Sequence, residues 1–240
     1  MKLTGERVIL EKSENILRRR HLARYKFAEG YIKGKKVLDV GCGTGYGTSL
    51  LAQTAEQVVG IDISKKAIDY AKENYSGKNI RFFIGNAVNL NFLKKNSFDI
   101  IVSFEVIEHI AEYRRYLEEM SCLLKPEGIL IISTPNKRYS SPNSEKPENP
   151  FHVIEFRLSE FRKLMEEYFS EVKIYGQNPQ MRIKQFVKRL LPRRVLKMIF
   201  LQKMGDAADM KRALKFTEKN IEACRYFIAV CRGKDQSKAL

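Results

Sequence analysis

"VLDVGCGTGYG", residues 37–47, joins a short apolar run to a tight cluster of glycines. The apolar run reads as a strand. The glycines let backbone approach a ligand closely and leave a helix N-terminus pointing at it. A dinucleotide fingerprint needs glycines at relative positions one, three and six. Counting from Gly41, Gly43 or Gly45 puts Tyr46, Thr48 or Leu50 in the sixth place. No frame fits, which argues against hydride transfer. The loop still suits a nucleoside that carries no pyrophosphate.

Outward from this loop, β-rich runs alternate with helical patterns. KKVLDVGC (35–42), QVVGIDIS (57–64), IRFFIGNA (80–87), FDIIVSFE (98–105) and GILIISTPN (128–136) read as strands. They are nearly continuous in apolar character, as strands buried on both faces are. SKKAIDYAKENY and EYRRYLEEMSCLL read as helices between them. The order predicts an α/β fold with a doubly wound, mostly parallel sheet, whose ligands bind at the carboxyl ends of the strands. Asp62 closes the second strand about 20 residues past the glycines, where a carboxylate accepts hydrogen bonds from ribose hydroxyls.

The chain has 240 residues, 44% of them hydrophobic and 30% charged, which fits one globular domain with a real core. It contains no apolar run long enough to span a membrane and no signal-peptide stretch at its start. Cys42, Cys122, Cys224 and Cys231 form neither a CxxC pair nor a regular framework, so they are read as reduced thiols of a cytoplasmic protein. The net charge of +16 points to an anionic partner or to a generally basic surface. The charge concentrates in residues 181–204, where Arg182, Lys184, Lys188, Arg189, Arg193, Arg194, Lys197 and Lys203 stand without an acid. Apolar residues recur there at helical spacing, interrupted at Pro192.

Taken in order, "VLDVGCGTGYG", "VVGIDIS", "FFIGNA", "FDIIVSFEVIEHI" and "LLKPEGILIISTPN" closely resemble the class I S-adenosylmethionine-dependent methyltransferases. The resemblance implies a Rossmann-like, seven-stranded sheet ending in an antiparallel pair, for which EVKIYGQ (171–177) and RYFIAVCR (225–232) are the candidates. Residues 1–34 then form a helical cap, and 35–240 the methyltransferase domain with a basic helical insertion at about 179–224. The resemblance puts Gly41 and Gly43 under the methionine part of the cofactor, Asp39 near its ammonium and Asp62 on the ribose. It implies that Ile63 packs on the adenine and that Tyr46, Ala87 and Phe104 also line the site. Asn86 stands where the family commonly has an Asp, and keeps a carbonyl acceptor for the adenine amino group.

"SFEVIEHI" (103–110) emerges beside the expected methyl group. Glu105, Glu108 and His109 share one face if the strand runs into a helical turn. Two carboxylates with an imidazole suit Mg²⁺ or Mn²⁺, and His152 in "NPFHVIEF" is the fourth candidate ligand. His109 and Glu105 are also the candidate catalytic groups, His109 as a general base or as a ligand only. The competing reading is a polar helix start, with acids stabilised by the dipole. Glu-x-x-Glu-His followed by a later histidine is similar to enzymes that methylate the 2′-hydroxyl of small RNAs, and more weakly to ubiquinone-pathway O-methyltransferases. Both act on vicinal oxygens, which can chelate one divalent ion.

ENILRRRHLARYKFAEGYIKG (14–34) reads as a helix, either a solvated basic one or one that folds over the cofactor and offers Arg24 or Tyr25 to the methionine carboxylate. The stretch from "STPNKRYS" to "EVKIYGQ" is loosely similar to methyltransferases of cell-surface glycan and glycolipid biosynthesis. The leading expectation is therefore an O-methyltransferase acting on a small molecule, a glycan or a lipid-linked acceptor. The alternatives are an RNA 2′-O-methyltransferase and a non-catalytic nucleic-acid or membrane-binding protein of the same fold. Residues 181–204 would serve an anionic membrane surface, RNA phosphates or a lid.

Overall fold

The structure, a computed structural model, describes residues 16–179 and 215–234. Helix α1 (Ile16–Ile32) leads into β1 (Lys36–Val40), α2 (Tyr46–Leu51), β2 (Gln57–Asp62), α3 (Lys65–Asn74), β3 (Ile80–Ile84) and β4 (Phe98–Phe104). Then follow a 3₁₀ turn (Ile107–His109), α4 (Tyr113–Leu123), β5 (Leu124–Pro135), α5 (Lys137–Ser140), α6 (Leu158–Glu166), β6 (Phe169–Pro179), β7 (Phe216–Thr217), a second 3₁₀ turn (Ile221–Ala223) and β8 (Cys224–Lys234). One sheet runs β3-β2-β1-β4-β5-β8-β6-β7. The first five strands are parallel, and β8 enters antiparallel between β5 and β6.

Both faces of the central strands are buried. Val37 and Leu38 fall in separate apolar clusters, as do Ile100 and Ile101, and Leu130 and Ile131. Alternate side chains of a strand point to opposite faces, so continuous apolar runs fill two cores. Buried α1 residues Tyr25, Ala28 and Ile32 join one cluster, while Leu117 and Met120 of α4 and Phe161 and Leu164 of α6 join the other. Ser64 caps α3 by accepting from the Ala67 N–H, which starts the helix directly after β2.

β1 lies between β2 and β4, so the chain winds away from it in opposite directions. The loops after β1 and β4 therefore open a crevice at the carboxyl edge. This switch point brings the glycine loop and SFEVIEHI together, although about sixty residues separate them.

Two expectations need adjustment. The sheet has eight strands rather than seven, because two-residue β7 pairs with Gly176 and Gln177 at the edge. Residues 215–224, assigned to a helical insertion, instead carry this strand and a 3₁₀ turn. The basic stretch 181–204 and residues 1–15 lie outside the described residues. No helix among the described residues is long and apolar enough to cross a membrane.

Candidate functional site

A cavity of about 850 Å³ opens at the switch point. Gly41, Gly43 and Tyr46 line one part, Asp62 and Ile63 the next, and Asn86 and Ala87 another. Phe104, Glu105, Glu108, His109 and His152 also line it.

The glycines divide by what a side chain would meet. A Cβ on Gly41 would lie 2.3 Å from Val106, and one on Gly47 would lie 1.9 Å from the Tyr25 ring. Those positions are glycine because the protein packs against them. Gly43 also has positive φ, +55°, yet a Cβ there would meet nothing within 4 Å. Its empty side faces the cavity it lines, which is the space a close-lying ligand needs. Asp62 fixes this loop: its Oδ2 accepts from the Gly43 N–H at 3.0 Å and its Oδ1 from the Ser64 N–H at 2.8 Å. Each oxygen retains a lone pair for a ribose hydroxyl. Ile63 is 68% exposed, an apolar surface ready to pack on a base. The Asn86 carbonyl accepts from the Val88 N–H at 3.2 Å, leaving one lone pair for an adenine amino group.

Asp39 lies behind the glycine loop, near the end of β1. It is buried and does not line the cavity. Thr48 donates to its Oδ2 at 2.7 Å, and the Tyr25 hydroxyl lies within 3.4 Å of both oxygens. Burial raises its pKa to about 7, the Thr48 and Tyr25 hydrogen bonds oppose that shift, and Asp62 adds to it. Its direct role here is to tie α1 and α2 to β1.

Arg24 also turns away from the cavity. Its Nε donates to Gln177 Oε1 at 2.8 Å, and its guanidinium lies 4.5 Å from the Tyr226 ring centroid. His21, one turn earlier, lines the cavity instead. Burial, then Arg24 and Arg20, lower its pKa to about 3, so it stays neutral. No sequence pattern marks His21 out as a cavity residue, whereas Tyr25 also lines the cavity and is held at Asp39.

At SFEVIEHI the helical-face expectation fails for one residue. Glu105 has φ +57°, in the left-handed region, and the turn that follows is 3₁₀ over Ile107–His109. The Glu105 carboxylate accepts from the Ser133 hydroxyl at 2.8 Å and lies 3.4 Å from Arg24 Nη2. It stands apart from the other three candidate ligands. Glu108, His109 and His152 each offer a ligand atom, all within 4.8 Å of one another. The 3₁₀ turn presents two of them. The third returns because the Glu108 carbonyl accepts from the Val153 and Ile154 N–H groups at 2.8 and 3.3 Å.

Glu108 is fully buried. Thr134 donates to its Oε2 at 3.3 Å, while Oε1 has no hydrogen-bond partner. Burial, followed by the Glu105 charge, pushes its pKa well above the usual carboxylate range. An orphaned buried carboxylate oxygen beside two imidazoles is a donor set that fits a divalent cation. His109 Nδ1 lies 2.8 Å from the Phe151 carbonyl, which accepts its proton and leaves Nε2 as the basic nitrogen.

Residues 31–191 match a family described as a methyltransferase domain. The chain belongs to that family. It is 37% identical, over 71% of its length, to a Mycolicibacterium smegmatis protein named "Probable S-adenosylmethionine-dependent methyltransferase/", of which it covers 65%. A similarly named Mycobacterium tuberculosis protein is 35% identical over 68% of this chain and 59% of its own length. This chain thus spans less than two thirds of either relative. A Coxiella burnetii ubiquinone biosynthesis O-methyltransferase is 35% identical over 49% of this chain and 52% of that protein. Among solved structures, the PH0226 protein of Pyrococcus horikoshii aligns with a TM-score of 0.63 at 20% identity, over 93% of both chains. A SAM-dependent methyltransferase of Archaeoglobus fulgidus aligns at 0.62 and 17% identity, over 90% of this chain and 93% of that one. At those identities the match concerns fold, and the fold is the Rossmann-like one of class I methyltransferases.

Proposed function

We propose that the protein is an S-adenosylmethionine-dependent O-methyltransferase whose acceptor hydroxyl binds at a divalent-cation site formed by Glu108, His109 and His152. One observation carries this reading: the nucleoside-type half-site and the three-ligand cluster line the same cavity. S-adenosylmethionine supplies a methyl group already activated by its sulfonium centre. The protein's task is then alignment of nucleophile, methyl and leaving sulfur. Asp62 and Ile63 hold the nucleoside, and the open side of Gly43 admits the methionine part.

Two imidazoles and one carboxylate favour Mn²⁺ over Mg²⁺, which prefers an all-oxygen shell. A cation there supplies charge that orients an acceptor oxygen and lowers the pKa of its hydroxyl. His109 holds its basic nitrogen towards the same space, as a ligand or as the acceptor of the hydroxyl proton. The O-methyltransferase name of the Coxiella relative supports transfer to oxygen, and a small acceptor with adjacent hydroxyls suits a chelating cation. A glycan or a lipid-linked sugar meets the same chemical requirement.

The test is methyl transfer from labelled S-adenosylmethionine to fractionated quinone-precursor, glycan and small-RNA pools, in EDTA and after Mn²⁺ addition. Labelling of a small vicinal diol that requires Mn²⁺ is the expected result. Labelling of RNA alone would replace the acceptor class, and labelling of none would leave a binding protein. Calorimetry of Asp62→Ala checks the cofactor half separately, with an expected loss of about 1.5–3 kcal/mol, the range for hydrogen bonds to a charged group.

A further inference from the structure

Glu155 is a buried acid that the cofactor half-site and the three-ligand cluster both leave unused. It is 4% exposed, Oε1 lies 2.6 Å from His152 Nδ1, and Oε2 has no hydrogen-bond partner. The opposite ring nitrogen, Nε2, lies 2.9 Å from Asn149 Nδ2. The Asn149 amide is oriented by its own loop, because its Oδ1 accepts from the Phe151 N–H at 3.1 Å. The group facing the ring is therefore the NH₂, a donor, and Nε2 must be the acceptor. An imidazolium would set two donors against each other there. In this arrangement Nδ1 is the donor of the ring, and Glu155 accepts from it.

We infer that Glu155 is a positioning residue that fixes His152 in the Nδ1–H tautomer and directs the Nε2 lone pair to the Glu108–His109 cluster. Its backbone supports the role. Val153 and Ile154 donate to the Glu108 carbonyl, and the Phe156 carbonyl accepts from the Lys137 N–H at 3.0 Å. Glu155 is thus held between two ties, one of them to the turn that presents Glu108. A carboxylate behind an imidazole raises the basicity of the far nitrogen and holds the ring's orientation. A buried carboxylate with an orphan oxygen is unfavourable without compensating positive charge, and a cation at Nε2 provides that charge through the ring. A ligand reaching Nε2 displaces the Asn149 amide, which until then shields the lone pair.

The consequence for cation affinity rests on the metal reading proposed above, whereas the tautomer assignment does not. Two measurements separate them: ¹H–¹⁵N spectra of the labelled histidines, and Mn²⁺ titration by calorimetry. Wild type is expected to show His152 protonated at Nδ1. Glu155→Ala is expected to lose that fixed tautomer and to bind Mn²⁺ roughly 10–100-fold more weakly, the usual effect of losing such a carboxylate. Glu155→Gln keeps an acceptor oxygen and should retain the tautomer while still losing affinity, and it carries the test should the alanine variant not fold. His152 protonated at Nε2 in wild type would overturn the inference. So would a variant without the carboxylate that keeps both tautomer and affinity. If wild type shows the Nδ1–H form but binds no Mn²⁺, the cation reading fails and the tautomer assignment stands.

Discussion

Arg24 of α1 lies 3.4 Å from Glu105, the residue that leaves β4 in a left-handed conformation. Arg24 is fully buried, and neither terminal nitrogen makes an aligned hydrogen bond, so the contact is an ion pair by distance alone. The pair explains why Glu105 leaves the ligand cluster. Removing Glu105 takes away the ion-pair partner of a buried cation, which among the described residues keeps Gln177, the Tyr226 face and the nearby Glu108 carboxyl. Glu105→Gln should lower unfolding free energy by about 3 kcal/mol, the lower end for breaking a buried pair. Arg24→Met should act similarly. Urea denaturation of the double variant should show a loss smaller than the sum by about 1 kcal/mol or more. Strict additivity would mean that the two charges do not interact.

The glycine loop makes a second, opposed pair of expectations. Gly47→Ala forces a methyl group into the Tyr25 ring and should destabilise the fold by about 1–3 kcal/mol, as overpacking does. Gly43→Val places its side chain in open space, so its structural penalty is the strain of positive φ, about 1–2 kcal/mol. That variant should remain folded and lose S-adenosylmethionine binding. Thermal unfolding and calorimetry distinguish the two effects. Normal binding by Gly43→Val would reduce the loop to a turn.

Much of this architecture is legible in the chain. Neighbouring apolar residues such as Val37 and Leu38 fill opposite cores, so continuous runs announce strands covered on both sides. The glycine spacing and Asp62 are equally visible in the chain, and Gly41, Gly43 and Asp62 line the cavity. Glu105 was misplaced because its direction depends on a left-handed φ that glutamate rarely adopts, and on an arginine from a distant helix. That Tyr25 and Thr48 donate to Asp39 is a tertiary effect with no local pattern in the sequence. β7 is too short to show any period. Glu155 lies three residues after His152, a spacing visible in "HVIE", but only the fold shows that Glu155 is buried behind a half-buried His152.

Asp39 gives the stability a pH dependence of definite sign. Its carboxyl titrates near 3.8 when unfolded and near 7 in the fold, chiefly through burial. The folded state holds the proton more tightly, so this contribution is fully present below about pH 4 and lost as pH rises through about 7. The loss amounts to at most ~4 kcal/mol, taking about 1.4 kcal/mol for each tenfold change. Asp39→Asn keeps an acceptor for Thr48 and Tyr25 but cannot ionise. Its melting temperature should fall less between pH 5 and pH 8 than that of wild type. Part of the fall should persist, because Glu108 is raised by burial in the same sense. An unchanged slope would mean that Asp39 does not ionise across this range.

The ligand cluster separates Glu108 from Glu105 although the two lie only three positions apart. Glu108 turns an unpartnered oxygen towards His109 and His152, while Glu105 is engaged by Arg24 and Ser133. Glu108→Gln should therefore reduce Mn²⁺-dependent methyl transfer by tenfold or more, on the scale of losing a direct ligand. His109→Gln should do the same. Glu105→Gln should affect transfer less than either, once its stability loss is offset by assaying at low temperature. S-adenosylmethionine affinity should stay nearly constant in all three, since Asp62, Ile63 and Gly43 form a separate part of the cavity. Labelled-methyl transfer in EDTA, followed by Mn²⁺ titration, reads the first effect, and calorimetry reads the second. Equal losses for Glu105→Gln and Glu108→Gln would show that Glu105 leaves Arg24 and joins the cluster when the cation binds. Full transfer in EDTA would return SFEVIEHI to a structural role, with the buried Glu108 acting as a neutral hydrogen-bonded acid.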